Sequence, residues 1–401
     1  MTKKLFIKFT IIFMIILSGT THLGAKPFSF IVMGDTRTEP YLTGGKEQSS
    51  QIIEIIQKRY HCDKKAITLN FDRLGLELNR VKINKKDHSL LMDYDNGWLK
   101  RSVIIDHKSQ KSHIIMRDTG RKWVNKQIIS DMKKGVKDTK NSSSFIIHGG
   151  DIQLFSFQGE HLNSNPYYQL FNEEVLMNLP DESKLFPVIG NHEVWDDKDK
   201  IIGFRSTFPW LEKLGFNKQN RIYSFVHDNS SFIFLDSGGY VKGESGWTSK
   251  YPSFNTQMKY LKTKLEDAKK CKRDYVFVTY HKPSFNQVGH DPLPKEQNPH
   301  QILKQYAKDL NIFVFSSHVH TTEHYVVDDI NYLVIGGSGA PQKMSLTKNP
   351  SKEKELYWDT KNRFEEYNYL KVNINSSNIK GTIHRFQPLN SWKPYSIKTI
   401  F

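Results

Sequence analysis

Six short apolar runs, each closing on a polar residue fit for chemistry, constrain this chain more than any other feature. They are SFIVM before Gly34-Asp35, SFIIHG before Gly150-Asp151, LFPVIG before Asn191-His192, SFIFLD ending on Asp236, YVFVTY before His281 and NIFVFSS before His318. Each is too short for a buried helix and rich in β-branched and aromatic types, so each reads as a strand. Helical patterns separate them. Ile128, Ile129 and Met132 fit one face, Leu170, Val175 and Leu176 fit more weakly, and Met258, Leu261, Leu265 and Ala268 recur at helical spacing, as do Ile302, Leu303, Tyr306 and Leu310. Strands alternating with helices predict a layered α/β fold, with functional groups at the carboxyl ends of the strands.

Residues 60–118 break the alternation. AITLNF, LELNRVKIN, SLLMDYD, LKRSVIID and SHIIMRD follow one another, divided by polar turns such as NKKDH and YDNG. They predict a small antiparallel β insert, with the main domain occupying 26–59 and 119–401. Two readings of the insert stand side by side, a substrate-selecting cap and a peripheral decoration. After Tyr332 the chain returns to strands in YLVIGG, YNYLKVNI and KGTIHRF. There is no internal repeat.

The first 25 residues are set apart from the fold. Lys3, Lys4 and Lys8 precede an apolar run from Phe9 to Leu17, and Ser18, Gly19 and Thr20 follow. That order is expected of a secretory signal peptide cleaved near Ala25, giving a secreted or periplasmic protein with no transmembrane helix after cleavage. An uncleaved anchor is the alternative, although the run is shorter than the roughly 20 residues a spanning helix needs. The net charge of +16 comes mostly from scattered lysines. It reads as a solvated basic surface or as attraction to anions, and no dense basic run marks dedicated nucleic-acid binding. Cys62 and Cys271 are the only cysteines. They pair in an oxidising compartment or stay as two thiols, and two cysteines make no metal cluster.

The strand tips are Asp35, Asp151, Asn191-His192, His281 and His318-Val-His320. Alone, each is an ordinary turn or structural residue. Together they bring two carboxylates, an amide oxygen and, besides His192, three imidazoles to one rim, a donor set suited to two divalent cations bridged by a shared Asp. The order GD, GGD, GNHE, H and SHVH resembles the calcineurin-like metallophosphoesterases, whose pattern is Asp-x-His, Gly-Asp, Gly-Asn-His-Asp/Glu, His and Gly-His-x-His. The likeness covers roughly 27–37 and 120–345 and misses the insert. Tyr223-Ser-Phe, Gln257-Met-Lys-Tyr-Leu, Phe315-Ser-Ser-His-Val-His and Ile335-Gly-Gly-Ser-Gly-Ala look like the secreted, purple-acid-phosphatase-like branches.

This resemblance implies a four-layer αββα sandwich and a dinuclear centre of divalent or mixed-valence ions drawn from Mn, Fe, Zn, Co or Ni. It implies that Asp151 bridges the ions, that Asn191, His281 and His318 complete one shell, and that Asp35 and His320 serve the other. It casts His192 as the residue beside the leaving-group oxygen, and metal-held hydroxide as the nucleophile. The expected substrates are phosphorylated small molecules, nucleotides or phosphoproteins, as mono- or diesters. The chain departs from the pattern at Arg37, where the family has a His. Guanidinium has no lone pair to give a metal. Arg37 therefore either grips a substrate phosphate oxygen or pairs with an acid such as Glu39, and Tyr41 has nothing to mark it as a replacement ligand. Two further functions stay open: a non-catalytic metal binder, favoured by Arg37, and a secreted interaction module for an anionic partner.

Overall fold

The computed structural model describes residues 27–36, 77–83, 89–95, 100–106, 111–115, 120–137, 143–153, 166–194, 201–237, 252–340, 346–353, 355–358, 367–375, 378–386 and 394–401. The leader, Arg37, Tyr41 and Cys62 lie outside them. The chain begins with β1 (Phe28–Met33), then β2 (Glu77–Ile83), β3 (Ser89–Asp95), β4 (Lys100–Asp106) and β5 (Lys111–Ile115). There follow α1 (Gly120–Lys137), β6 (Ser143–His148), α2 (Pro166–Glu174), β7 (Leu185–Pro187), α3 (Asn191–Val194), α4 (Ile202–Thr207), β8 (Tyr223–His227) and β9 (Ser230–Phe234). The remainder is α5 (Phe254–Lys270), β10 (Tyr275–Thr279), α6 (His300–Leu303), β11 (Asn311–Ser316), β12 (Thr322–Val327), β13 (Ile330–Ile335), β14 (Glu355–Trp358), β15 (Tyr367–Asn375), β16 (Asn378–Phe386) and β17 (Pro394–Thr399).

All six apolar runs form strands. They divide between a six-stranded sheet ordered β17-β16-β15-β1-β6-β7 and a seven-stranded sheet ordered β14-β12-β13-β11-β10-β9-β8. Both sheets are mixed. β1, β6 and β7 run parallel, as do β9, β10, β11 and β13, and the remaining neighbours are antiparallel. The result is the expected α/β sandwich with flanking helices.

Side-chain alternation explains the stacking. Along β9, β10 and β11, Phe232, Phe234, Phe277, Phe313 and Phe315 face the other sheet, whereas Ile233, Val276, Val278, Ile312 and Val314 face the helix side. A strand places successive residues on opposite faces, so one short run serves two cores. Phe30 of β1 is the hub between sheets, with ring centroids 5.4 Å from Phe232, 5.0 Å from Phe277 and 6.0 Å from Phe315. Edge-to-face pairs of this kind add about 0.5–1.5 kcal/mol each beyond the area they bury. On the outer face of the seven-stranded sheet, Met258, Leu261, Leu265 and Ala268 of α5 close the second core. Ser253 caps α5 by accepting from the Thr256 N–H at 3.3 Å. Val124, Ile128 and Met132 of α1 are buried in the core of the six-stranded sheet.

Two helical expectations shorten. α6 closes at Leu303, and the chain continues in i→i+3 turns, with Tyr306 N–H to Leu303 O at 3.0 Å and Asp309 N–H to Tyr306 O at 2.9 Å. Tyr306 and Leu310 are still buried, so the apolar spacing reports the packed face but not the winding. α2 ends at Glu174, and Leu176 opens a separate 3₁₀ turn.

The β insert forms its own antiparallel sheet, ordered β2-β3-β4-β5, a meander in which each strand pairs with the next. Cys271, just past α5, is exposed and forms no disulfide among the described residues. Among the described residues no helix is long and apolar enough to cross a membrane.

Candidate metal centre

Parallel strands deliver their carboxyl ends to one edge, and there the two sheets touch. The Ser317 side chain, one residue past β11, is wedged between Gly34 and Gly149. A Cβ on Gly34 would lie 1.9 Å from Ser317 Oγ, and one on Gly149 would lie 2.0 Å from it. Only glycine permits that approach. Past the wedge, the Asp35 N–H donates to Gly150 O at 3.0 Å, and Asp35 Oδ2 accepts from the His318 main-chain N–H at 2.6 Å.

Three of the residues expected to bind metal hold left-handed backbone: Asp35 (φ 51°), Asp151 (φ 55°) and His318 (φ 69°). Such conformations cost about 1–3 kcal/mol each and persist where surrounding structure enforces them. The carboxylate of Glu193 does the enforcing at Asp151. It accepts from the N–H groups of Gly190 (2.7 Å), Asp151 (2.8 Å), Ile152 (2.8 Å) and Gln153 (3.4 Å), fastening the loop after β6 to the loop after β7. Burial, and secondarily Asp151, push the Glu193 carboxyl up to about 7, against the pull of its backbone donors.

His148 makes a second brace. Its Nδ1 accepts from the Gly150 N–H at 3.1 Å, which puts the ring proton on Nε2. Nε2–H then donates to Thr36 Oγ1 at 3.1 Å, and that hydroxyl donates to Ile152 O at 3.0 Å. The relay joins the loops carrying Asp35 and Asp151. It needs a neutral imidazole, and burial, followed by the field of His281, lowers this group to about 3.

The imidazoles approach from the seven-stranded sheet. His281 Nδ1–H donates to Gly149 O at 2.8 Å, leaving the Nε2 lone pair inward. Around that lone pair stand Asn191 Oδ1 at 3.0 Å, His318 Nδ1 at 3.2 Å and Asp151 Oδ1 at 3.3 Å. Electron-rich atoms this close need a positive charge among them. Burial alone would lower the His281 ring, but Asp151 outweighs it and the group rises to about 9, so without a cation Nε2 holds a proton, which a metal would displace to reach the lone pair. His318 is held well below its usual range by burial and then by His290 and His281; the exposed His290 ring stacks on it with centroids 4.6 Å apart. Donor atoms of Asp151, His281 and His318 lie within 4.8 Å of one another and are all buried. Two nitrogens, a carboxylate and the adjoining amide oxygen of Asn191 fit a transition-metal cation.

The structure thus brings Asp151, Asn191, His281 and His318 into one cluster. Asp35 and His320 sit beside it as a pair, with His320 Nε2 3.5 Å from Asp35 Oδ1. His192 donates its main-chain N–H to Asp151 Oδ1 at 3.0 Å, and its ring Nε2 lies 3.7 Å from Asp151 Oδ2. Four supporting residues have no role assigned by the sequence pattern: Glu193, His148, Thr36 and Ser317. Glu193 stood in the GNHE motif, and an acid in the first turn after a tight loop is a recognisable capping signal. His148, the one histidine inside an apolar run, is a weaker sign, and Ser317 stands in the SHVH motif with no role of its own.

A family model for calcineurin-like phosphoesterases matches residues 113–322, just over half of the chain. A sequence search of curated proteins finds no match. Among solved structures, the chain is similar to the purple acid phosphatase PPD1 from yellow lupin (Lupinus luteus) seeds. The TM-score is 0.50 at 12% identity, over 94% of this chain and 54% of that one. The chain therefore spans about half the length of the lupin protein. GAP50, described as the anchor in the inner membrane complex of Plasmodium, gives 0.47 at 16% identity over 70% and 84%. A dimetal phosphatase from Danio rerio gives 0.47 at 10% over 93% and 98%. At these identities the likeness is one of fold.

Proposed function

Because the chain belongs to the calcineurin-like phosphoesterase family, we propose that it is a phosphoric ester hydrolase working with two metal ions. The observation that carries the reading is the inward Nε2 of His281, ringed by Asp151, Asn191 and His318. Those four would hold one ion; Asp35, His320 and a shared Asp151 would hold the second. When bound, the ions supply Lewis acidity toward phosphoryl oxygens and acidify a water.

The chain's own residues do the rest. Glu193 and the His148–Thr36 relay keep both carboxylates in their left-handed turns. His192, beside the cluster but outside it, holds a proton for the departing oxygen, a general-acid role suited to imidazole near neutral pH. Arg37 steadies a phosphate oxygen, and the β insert caps the site and selects the leaving group. The secreted, purple-acid-phosphatase-like motifs and the N-terminal leader support an exported enzyme. Phosphorylated small molecules, nucleotides and phosphoproteins are the substrate classes considered, and the nitrogen and oxygen donors accept Mn, Fe, Zn, Co or Ni. A non-catalytic metal binder is the second reading, favoured by Arg37 in place of the family's His.

The test is a metal-supplemented screen of purified protein with an aryl phosphate, an aryl diester, nucleotides and a phosphopeptide. Chelator-sensitive hydrolysis of any of these is the expected result. Full metal loading without hydrolysis would favour the binder.

A further inference from the structure

Lys282 is the one buried lysine among the described residues, only 7% exposed. It directly follows His281, and its main-chain N–H donates to Ser237 Oγ at 2.8 Å, so its backbone is fixed between the ends of β9 and β10. Its ammonium makes no hydrogen bond and no ion pair with any described residue. The ammonium lies in the field of Asp151 and Asp236, and His318 in turn feels its charge. Because its backbone adjoins His281 and is held by Ser237, this buried side chain starts at the edge of the metal cluster.

The carboxylates nearest it have other partners. Asp236 is already faced by Arg221, whose Nη1 stands 3.9 Å from Asp236 Oδ2 with both side chains buried. The other terminal nitrogen of Arg221, Nη2, is buried with no hydrogen-bond partner among the described residues. Asp151 is engaged by His281 and the His192 N–H. Two buried cationic residues, Lys282 and Arg221, thus stand beside a site suited to anions. Buried charge is costly unless paired, and lysine answers a phosphate oxygen as a compact point charge.

We propose that Lys282 donates from its ammonium to a non-bridging oxygen of the phosphate group bound at the metal centre. The inference rests on the phosphoesterase reading for its ligand, but its test does not depend on turnover.

Full-length, Mn-loaded wild type and the variants Lys282→Met, Lys282→Gln and Lys282→Arg are titrated with inorganic phosphate by calorimetry, with bound metal measured in parallel. The expected result is unchanged metal content and about 10- to 100-fold weaker phosphate binding in the two neutral variants, the range of one charge-assisted hydrogen bond, with Lys282→Arg recovering much of the loss. Unchanged phosphate affinity in metal-loaded Lys282→Met overturns the proposal. So does loss of folding or of metal in both neutral variants, which would assign Lys282 to holding the site together. A wild type that binds phosphate in a Lys282-dependent way yet cleaves no ester refutes the hydrolase reading and leaves this one standing. A metal-loaded wild type that binds no phosphate overturns both.

Discussion

The two rims that meet at the site are held by different means. The carboxylate rim, on the six-stranded sheet, is braced mainly from within: Glu193 collects the N–H groups around Asp151, and His148 with Thr36 ties the Asp35 loop to the Asp151 loop. The imidazole rim, on the seven-stranded sheet, takes its aim from its neighbour. His281 is oriented by Gly149 O, and the His318 backbone by Asp35 Oδ2. Damage to the carboxylate rim should therefore spread to both, whereas damage among the imidazoles should stay local.

The largest effect expected is at the meeting point. Asp151→Asn removes the charge around which His281, Asn191 and His192 gather. Bound metal should fall away and turnover should drop by at least about 10³-fold, the scale on which loss of a central catalytic group is felt. Elemental analysis beside aryl phosphate kinetics checks this, and a variant with full metal and full turnover would sink the assignment.

His192→Ala sharpens the contrast, because His192 touches the carboxylate rim without joining the cluster. Metal content should hold while turnover falls about 10²–10⁴-fold on an alkyl ester. The loss should be smaller on nitrophenyl phosphate, whose leaving group needs no proton. Equal losses on both substrates would make His192 a positioning residue.

Glu193→Gln tests whether the carboxylate rim supports itself. The substitution exchanges one carboxylate oxygen for a donor that faces other donors. Metal affinity should weaken about 10–100-fold, as when a partner behind a ligand is removed, and turnover should recover at high metal. Unchanged affinity in a competition titration would mean that the rim does not lean on Glu193.

The smallest effect concerns pH. His148 has a folded value of about 3 against the ordinary 6.5, so as pH falls the unfolded chain takes the proton first. Its contribution is fully present above 6.5 and drains away between 6.5 and 3. Between pH 7.5 and pH 5, metal-free wild type should lose about 2 kcal/mol more than His148→Asn. Urea unfolding of both proteins at the two pH values measures the difference, and parallel losses would show that His148 does not act through its neutrality.

What could be read from sequence follows the same division. Strand runs announce themselves because β-branched and aromatic residues cluster between turn signals, and the Gly-Asp tips of β1 and β6 place two carboxylates by geometry alone. The left-handed backbone of Asp35, Asp151 and His318 has no sequence mark, since it is imposed by contacts between distant loops. Ser317 lies in the SHVH motif, but its role is not legible there because it exists only when Gly34 and Gly149 close around it. Lys282 was lost among the many lysines of a basic chain, because spacing does not report which ones are buried.

The strand that carries Asp35 has a consequence for the order of events during synthesis. β1 lies between β6 and β15, with Phe28 opposite Ile374 and Val32 opposite Leu370. One of its two neighbours emerges from the ribosome only after the whole imidazole rim has been made. Closing so wide a loop carries an entropic cost before any contact is gained. The nascent chain can form α5 and the parallel core of β9, β10 and β11 while β1, already able to pair with β6, still lacks its second neighbour. The strand that carries Asp35 therefore gains its second neighbour late, when β15 slots in beside β1.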